Sequence, residues 1–298
     1  MKKILLAGAA AAALLGGAAS AADLAVKAPY RAPPAPVWSW TGFYIGINGG
    51  GSIGVNSSIQ SATFTSAALG TNGLLSSTNR FVPTGGVFGG QLGYNWQVAN
   101  WVFGVEADWQ WSSQKDSNNY CTSPAATDAF FFFGGSGFGY CLNNEQKIKD
   151  FGTARARAGV TTIGNTLWYV TGGAAWARVE DNHAFLGAAN ADIFPPPLQP
   201  GPFLATAASF STRRTGWTVG GGVESQLWGG WTAKLEYLYV DLGTVSNTFA
   251  VALNPAFGAA LTTGGVAPVT TSTHVTDNIV RVGLNYKFGW GGPIYAAY

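Results

Sequence analysis

In this 298-residue chain, the side chains whose types could do chemistry are two histidines, two cysteines and a run of phenylalanines. His183 and His274 stand in different polar segments, and the only nearby acid is Asp181, two residues before His183. No cysteine or carboxylate lies at zinc-ligand spacing from either histidine. No serine sits in a nucleophile motif, so a Ser–His–acid triad would need distant segments to meet in space. Gly49-Gly50-Gly51 and Gly220-Gly221-Gly222 lack the lysine and following helix of a phosphate loop. The expectation is therefore no catalytic residue, no metal and no cofactor.

Cys121 and Cys141 fall within one long connection. In an oxidising compartment such a pair forms a disulfide. Between them runs Phe130-Phe131-Phe132-Phe133. An exposed apolar run of this kind can mark a contact surface; the favoured reading is that these aromatics simply pack over the barrel mouth or against lipopolysaccharide.

These residues must be positioned by something, and the chain reads as eight strands. They run over 42–54, 84–97, 101–113, 148–162, 166–181, 213–228, 231–246 and 275–288. The second, fourth and sixth connections are tiny, while the others are long and rich in Ser, Thr, Asn, Ala and Pro. Keeping every long loop at one end suits a membrane barrel, with short turns on the periplasmic side and long loops outside. Trp101, Phe103, Val105, Ala107, Trp109 and Trp111 alternate with Gly104, Glu106, Asp108, Gln110 and Ser112. That period of two separates a lipid face from a lumen face. The fold expected is all-β: an eight-stranded antiparallel up-and-down transmembrane β-barrel with short periplasmic turns and long extracellular loops. Backbone groups in lipid must pair within the sheet, so the sheet must close.

Parity collects a lumen set of acids, Glu106, Asp108, Glu180, Glu224 and Glu236, and of bases, Arg155, Arg157, Arg178, Lys234, Arg281 and Lys287. The fifth strand fits least well: Arg178 and Glu180 drag Trp168, Val170 and Trp176 inward unless a bulge near Gly172-Gly173 resets the phase. Eight strands leave an interior that side chains fill, where charges must pair. The near balance of sign argues for a salt-bridged core over a selective pore.

Lys2-Lys3, the apolar stretch from Ile4 to Gly17 and Ala19-Ser20-Ala21 read as a signal peptide over 1–21. A Pro-rich periplasmic leader follows over 22–41, then the barrel over 42–288 and a tail over 289–298. Hydrophobic residues make up 47% of the chain and charged residues 10%, with a net charge of +2. That composition fits an apolar outer wall and gives no support to nucleic-acid binding.

Several segments resemble the small alphaproteobacterial outer-membrane β-barrel proteins known as porin-family or outer-membrane immunogenic proteins. They are Trp40-Thr41-Gly42-Phe43-Tyr44-Ile45-Gly46, Gly93-Tyr94-Asn95-Trp96, Glu106-Ala107-Asp108, Ala154-Arg155-Ala156-Arg157-Ala158-Gly159 and the stretch from Lys234 to Gly243. The resemblance implies an eight-stranded barrel in the outer membrane of a Gram-negative cell, with surface-exposed loops and no catalytic residues. It also implies an aromatic strand end read by the barrel-assembly machinery; here Tyr286 and Phe288 occupy that place, ten residues before the end of the chain. The function expected is a structural, non-catalytic barrel that anchors in the membrane among lipid and lipopolysaccharide and displays its loops. A small diffusion channel, a loop-mediated adhesin and a soluble lipocalin-like barrel are the alternatives.

Overall fold

A computed structural model describes residues 38–66, 71–122, 138–163, 165–189, 204–252 and 266–289. The strands are β1 (Gly42–Gly54), β2 (Asn56–Ser66), β3 (Thr71–Phe81), β4 (Thr84–Val98), β5 (Trp101–Thr122), β6 (Phe138–Thr162), β7 (Thr166–Ala189), β8 (Leu204–Trp228), β9 (Trp231–Ala252) and β10 (Val266–Lys287). Eight of the ten close a ring, β1-β4-β5-β6-β7-β8-β9-β10, sealed by antiparallel pairing of β1 with β10. The remaining two form a hairpin, β2 with β3, that carries the lines of β1 and β4 onward; β2 then pairs with the upper part of β10. No edge is left at membrane depth, as a lipid-exposed sheet requires.

The outer wall explains the closure. Ile45, Ile47, Leu92, Val105, Val170, Val219, Leu235, Val280 and Val282 all point outward and are exposed. Trp96, Trp101, Trp168, Trp228 and Tyr286 ring the end with short turns, and Trp109, Trp111 and Trp217 mark the other limit of the band. From Trp101 to Trp111 is ten residues, about 33 Å of strand at roughly 3.3 Å each. Tilted as barrel strands are, that covers about 25 Å, the height of a hydrocarbon core.

Most of what the sequence presents as long loops is strand. β6 and β7 stay paired as far as Phe138 opposite Ala189, and β9 and β10 as far as Ala252 opposite Val266. Ladders do not require apolar side chains once they leave the lipid. Beyond the aromatic limit the ring splits along two seams. The β8–β9 ladder stops at Trp217 opposite Asp241, and the β4–β5 ladder at Thr84 opposite Lys115. Above those points β5–β8 form one sheet and β9, β10, β2 and β3 another, with their inner faces turned toward each other.

Phase resets occur, but not at Gly172-Gly173, where β7 pairs continuously on both sides. They lie between Trp111 and Gln114 in β5, at Lys149 in β6, which has no partner in β7, between Gln226 and Trp228 in β8, and between His274 and Thr276 in β10. The lumen parity of β7 therefore runs Leu167, Tyr169, Thr171, Ala175, Ala177, Val179, all buried.

Candidate functional site

The lumen at membrane depth holds a closed charge network drawn from five strands. Glu106 (β5) accepts from Lys234 Nζ (β9) at 2.9 and 3.0 Å, from Tyr44 Oη (β1) at 2.7 Å and from Arg155 (β6). Asp108 accepts from Arg155 and from Arg281 (β10), each at 2.9 Å, and from Thr153 at 2.7 Å. Glu236 (β9) accepts from Arg281 Nε at 2.7 Å, Arg155 at 3.1 Å and Tyr169 Oη at 2.9 Å. Arg157 completes the set. It pairs with Glu224 at 3.1 Å, donates to Asn95 at 2.8 Å and lies over the rings of Tyr44 and Tyr169.

Four acids and four bases thus meet with every side chain almost fully buried. Alternation along each strand delivers them: an inward residue falls at every second position, and register brings Glu106 opposite Arg155 and Glu236 opposite Arg281. Buried ions on this scale persist only when paired and hydrogen-bonded.

Three residues expected in the lumen are elsewhere. Arg178 and Glu180 face outward above the lipid band, pairing with Asp150 at 3.5 Å and Lys149 at 3.3 Å. β7 keeps its phase there, and the outward side is bathed in water, not lipid, so the charges are tolerated. Lys287 stands at the periplasmic end with its Nζ 4.6 Å over the Trp38 ring and 3.3 Å from the Thr41 carbonyl oxygen. The network is accordingly neutral, four against four, instead of five against six.

Apolar layers stopper the lumen on both sides of the network. Below, Trp40 packs with Val102, Leu167 and Tyr169, with Trp38 against them. The Trp40 amide donates to Gln97 Oε1 at 2.8 Å. Trp38–Thr41, expected as the end of the leader, therefore pack with the barrel. Above, Val87, Phe151, Ala175, Ala177, Val179, Leu238, Val240 and Ile279 form a single buried cluster. The sequence carried signals for both: Trp40 lies in the family-like first motif, and Leu238 and Val240 extend the parity of Lys234 and Glu236.

Beyond the upper plug the two sheets meet through polar groups. Asn56 donates to Gln146 at 2.6 Å, Gln146 to Asp181 at 2.9 Å and Asn247 to Asp181 at 3.1 Å. His183 Nδ1 donates to Asn144 Oδ1 at 2.8 Å, and its ring stacks on Phe249 at 5.5 Å. Nε2 of His183 is buried without a partner among the described residues. Burial raises the Asp181 carboxyl above its usual range, with hydrogen bonds from Gln146 and Asn247 opposing. Burial lowers His183, against the pull of Asp181. His274 points out of the barrel, 3.5 Å from Asp241, so the two histidines do not converge. Among the described residues no group of three or more His, Cys, Asp or Glu could hold a metal ion.

The backbone register sets Cys121 directly opposite Cys141. Phe130–Phe133, the signal-peptide stretch and most of the C-terminal tail lie outside the described residues. Tyr286 and Phe288 stack edge to face on the outer wall, and the Phe288 amide donates to the Phe43 carbonyl at 2.9 Å, closing the last strand on the first.

Comparison with known proteins agrees with this architecture. The family model of the outer membrane protein beta-barrel domain matches residues 9–288. The 31 kDa outer-membrane immunogenic protein of Brucella melitensis biotype 1 is 33% identical over 296 residues, covering 97% of this chain and all of the relative. Among solved structures, Ail of Yersinia pestis matches 78% of this chain and 98% of its own at 11% identity and a TM-score of 0.27. Neisserial surface protein A matches 83% and 98% at 13% identity and a TM-score of 0.29. The chain belongs to the outer-membrane β-barrel protein family and resides in the outer membrane.

Proposed function

We propose that this protein is a non-catalytic, non-conducting structural barrel that anchors in the outer membrane and holds long β-hairpins above it. The observation that carries this reading is the stack of layers across the lumen. A neutral network of four acids and four bases lies between the Trp40 cluster and the Val87–Phe151–Leu238 cluster. An ion entering would have to pass two tightly packed, largely apolar clusters and displace a paired charge, each costly in a low dielectric. An open aqueous pore needs around 16 strands, twice the number here. Tyr286 and Phe288 serve as the strand end recognised by the assembly machinery.

Planar-bilayer recording on refolded protein, with a heat-modifiability gel to certify folding, tests the proposal. Folded protein should give no steady openings. Stable conductance from heat-modifiable protein would replace this reading with a small channel.

A further inference from the structure

The outer wall of β6–β8 carries an arrangement that the lumen does not explain. Immediately beyond the Trp176–Trp217 level, Arg178 and Arg213 are direct cross-strand partners, both pointing outward. Like charges directly opposed destabilise a sheet unless something lies between them. Lys149, the inserted residue of the β6 bulge, is brought alongside, and one row higher Lys115 stands opposite Lys147.

The acids of this face are already engaged. Glu145 pairs with Lys147 at 2.6 Å, Glu180 with Lys149 at 3.3 Å and Asp150 with Arg178 Nε at 3.5 Å. Among the described residues Lys115 and Arg213 have no ion pair. Two directly opposed guanidiniums, with the single carboxylate of Asp150 on the Arg178 side and none on the Arg213 side, therefore sit where the hydrocarbon band ends on the extracellular side.

We propose that this face binds the phosphate of an outer-leaflet phosphorylated glycolipid, the phosphate bridging Arg178 and Arg213. This rests on the membrane-anchored reading but not on whether the lumen conducts. Planar guanidinium forks match phosphate oxygens in pairs. A phosphate between the two arginines converts their repulsion into two favourable contacts. Below it, Trp176, Ala174, Trp217 and Val219 offer an apolar wall for acyl chains, and the sugar would stand beside Lys149. The acyl chains fix the depth of the phosphate, which a free anion lacks.

The test is native mass spectrometry of the full chain in detergent micelles, titrated with phosphorylated lipid A. Dephosphorylated lipid A, phosphatidylglycerol and inorganic phosphate are the comparison probes. Wild type should retain phosphorylated lipid A at least tenfold better than any of these. Arg213→Ser, which removes a side chain with no ion pair to lose, should reduce retention about tenfold, and Arg178→Ser/Arg213→Ser should abolish the preference. Heat-modifiable migration must remain unchanged, and bilayer recordings on the same variants separate this proposal from the closed-lumen reading. Equal retention by wild type and variants overturns the site. Equal binding of phosphatidylglycerol, or displacement by inorganic phosphate at matched concentration, overturns the glycolipid assignment.

Discussion

Asn247 of β9 donates to Asp181 of β7 at 3.1 Å, reaching past β8 to do so. The contact exists because β9 loses its ladder with β8 above Trp217 and leans across the mouth of the barrel. Two sheets, separate along their edges, are thus joined through their faces by a few polar groups and the His183–Phe249 stack.

Acid should loosen that junction. Burial depresses His183, so below its unfolded value near 6.5 the unfolded form binds the extra proton and stability falls with pH. Asp181 is shifted the other way, so its own contribution falls as pH rises from about 3.9. On moving from pH 7.5 to 5.5 the histidine effect should dominate. Amide exchange in β7 and β9 should accelerate, and His183→Phe, which keeps the stacking, should flatten the response. An unchanged pH profile in that variant would remove His183 from the account.

Breaking the lumen network from one side should be costly. Glu106→Gln leaves Lys234 and Arg155 short of a counter-charge and is expected to lose about 3–5 kcal/mol. Lys234→Met added to it should cost less than the two single changes summed. Urea unfolding in micelles measures the cycle; strict additivity would mean that the pair is not coupled.

The cysteines should be oxidised in protein recovered from the membrane. They face each other in register near the end of the β5–β6 hairpin, a separation that a disulfide can span. Closing about 20 residues should add about 3 kcal/mol. Thiol titration under denaturing conditions should find none free; two free thiols per chain would refute the bond.

Trp40 should act as a stopper without being the only one. Trp40→Ala is expected to lose about 3–5 kcal/mol and to admit a small quencher to the lower lumen, yet not to conduct, because the Phe151–Leu238 layer remains. Conductance from Trp40→Ala alone would place the whole barrier at the periplasmic end.

The ring of strands was legible because lipid imposes a strict period of two, and Trp101 to Trp111 shows it without interruption. Outside the lipid that pressure vanishes. Segments such as Asn143–Gln146 or Ser246–Thr248 carry polar groups on both faces, so strand and loop look alike in the sequence. The same change of solvent misplaces Arg178 and Glu180: a charge implies the lumen only while the opposite face meets hydrocarbon. Trp40 was readable as part of a motif but not as a plug, since its partners Val102 and Leu167 arrive from strands far along the chain.

The pairing of β1 with β10 joins Tyr44 to Lys287 and Gly54 to Asp277. The first strand made therefore acquires one of its two neighbours only when the last has been made, over a sequence separation that spans almost the whole fold. Closure over such a distance carries the full entropy of a long loop and makes this a high-contact-order, slow-folding topology. Throughout that delay the apolar wall is without lipid, so the rate at which the chain meets a bilayer, more than its final stability, sets how much of it escapes aggregation.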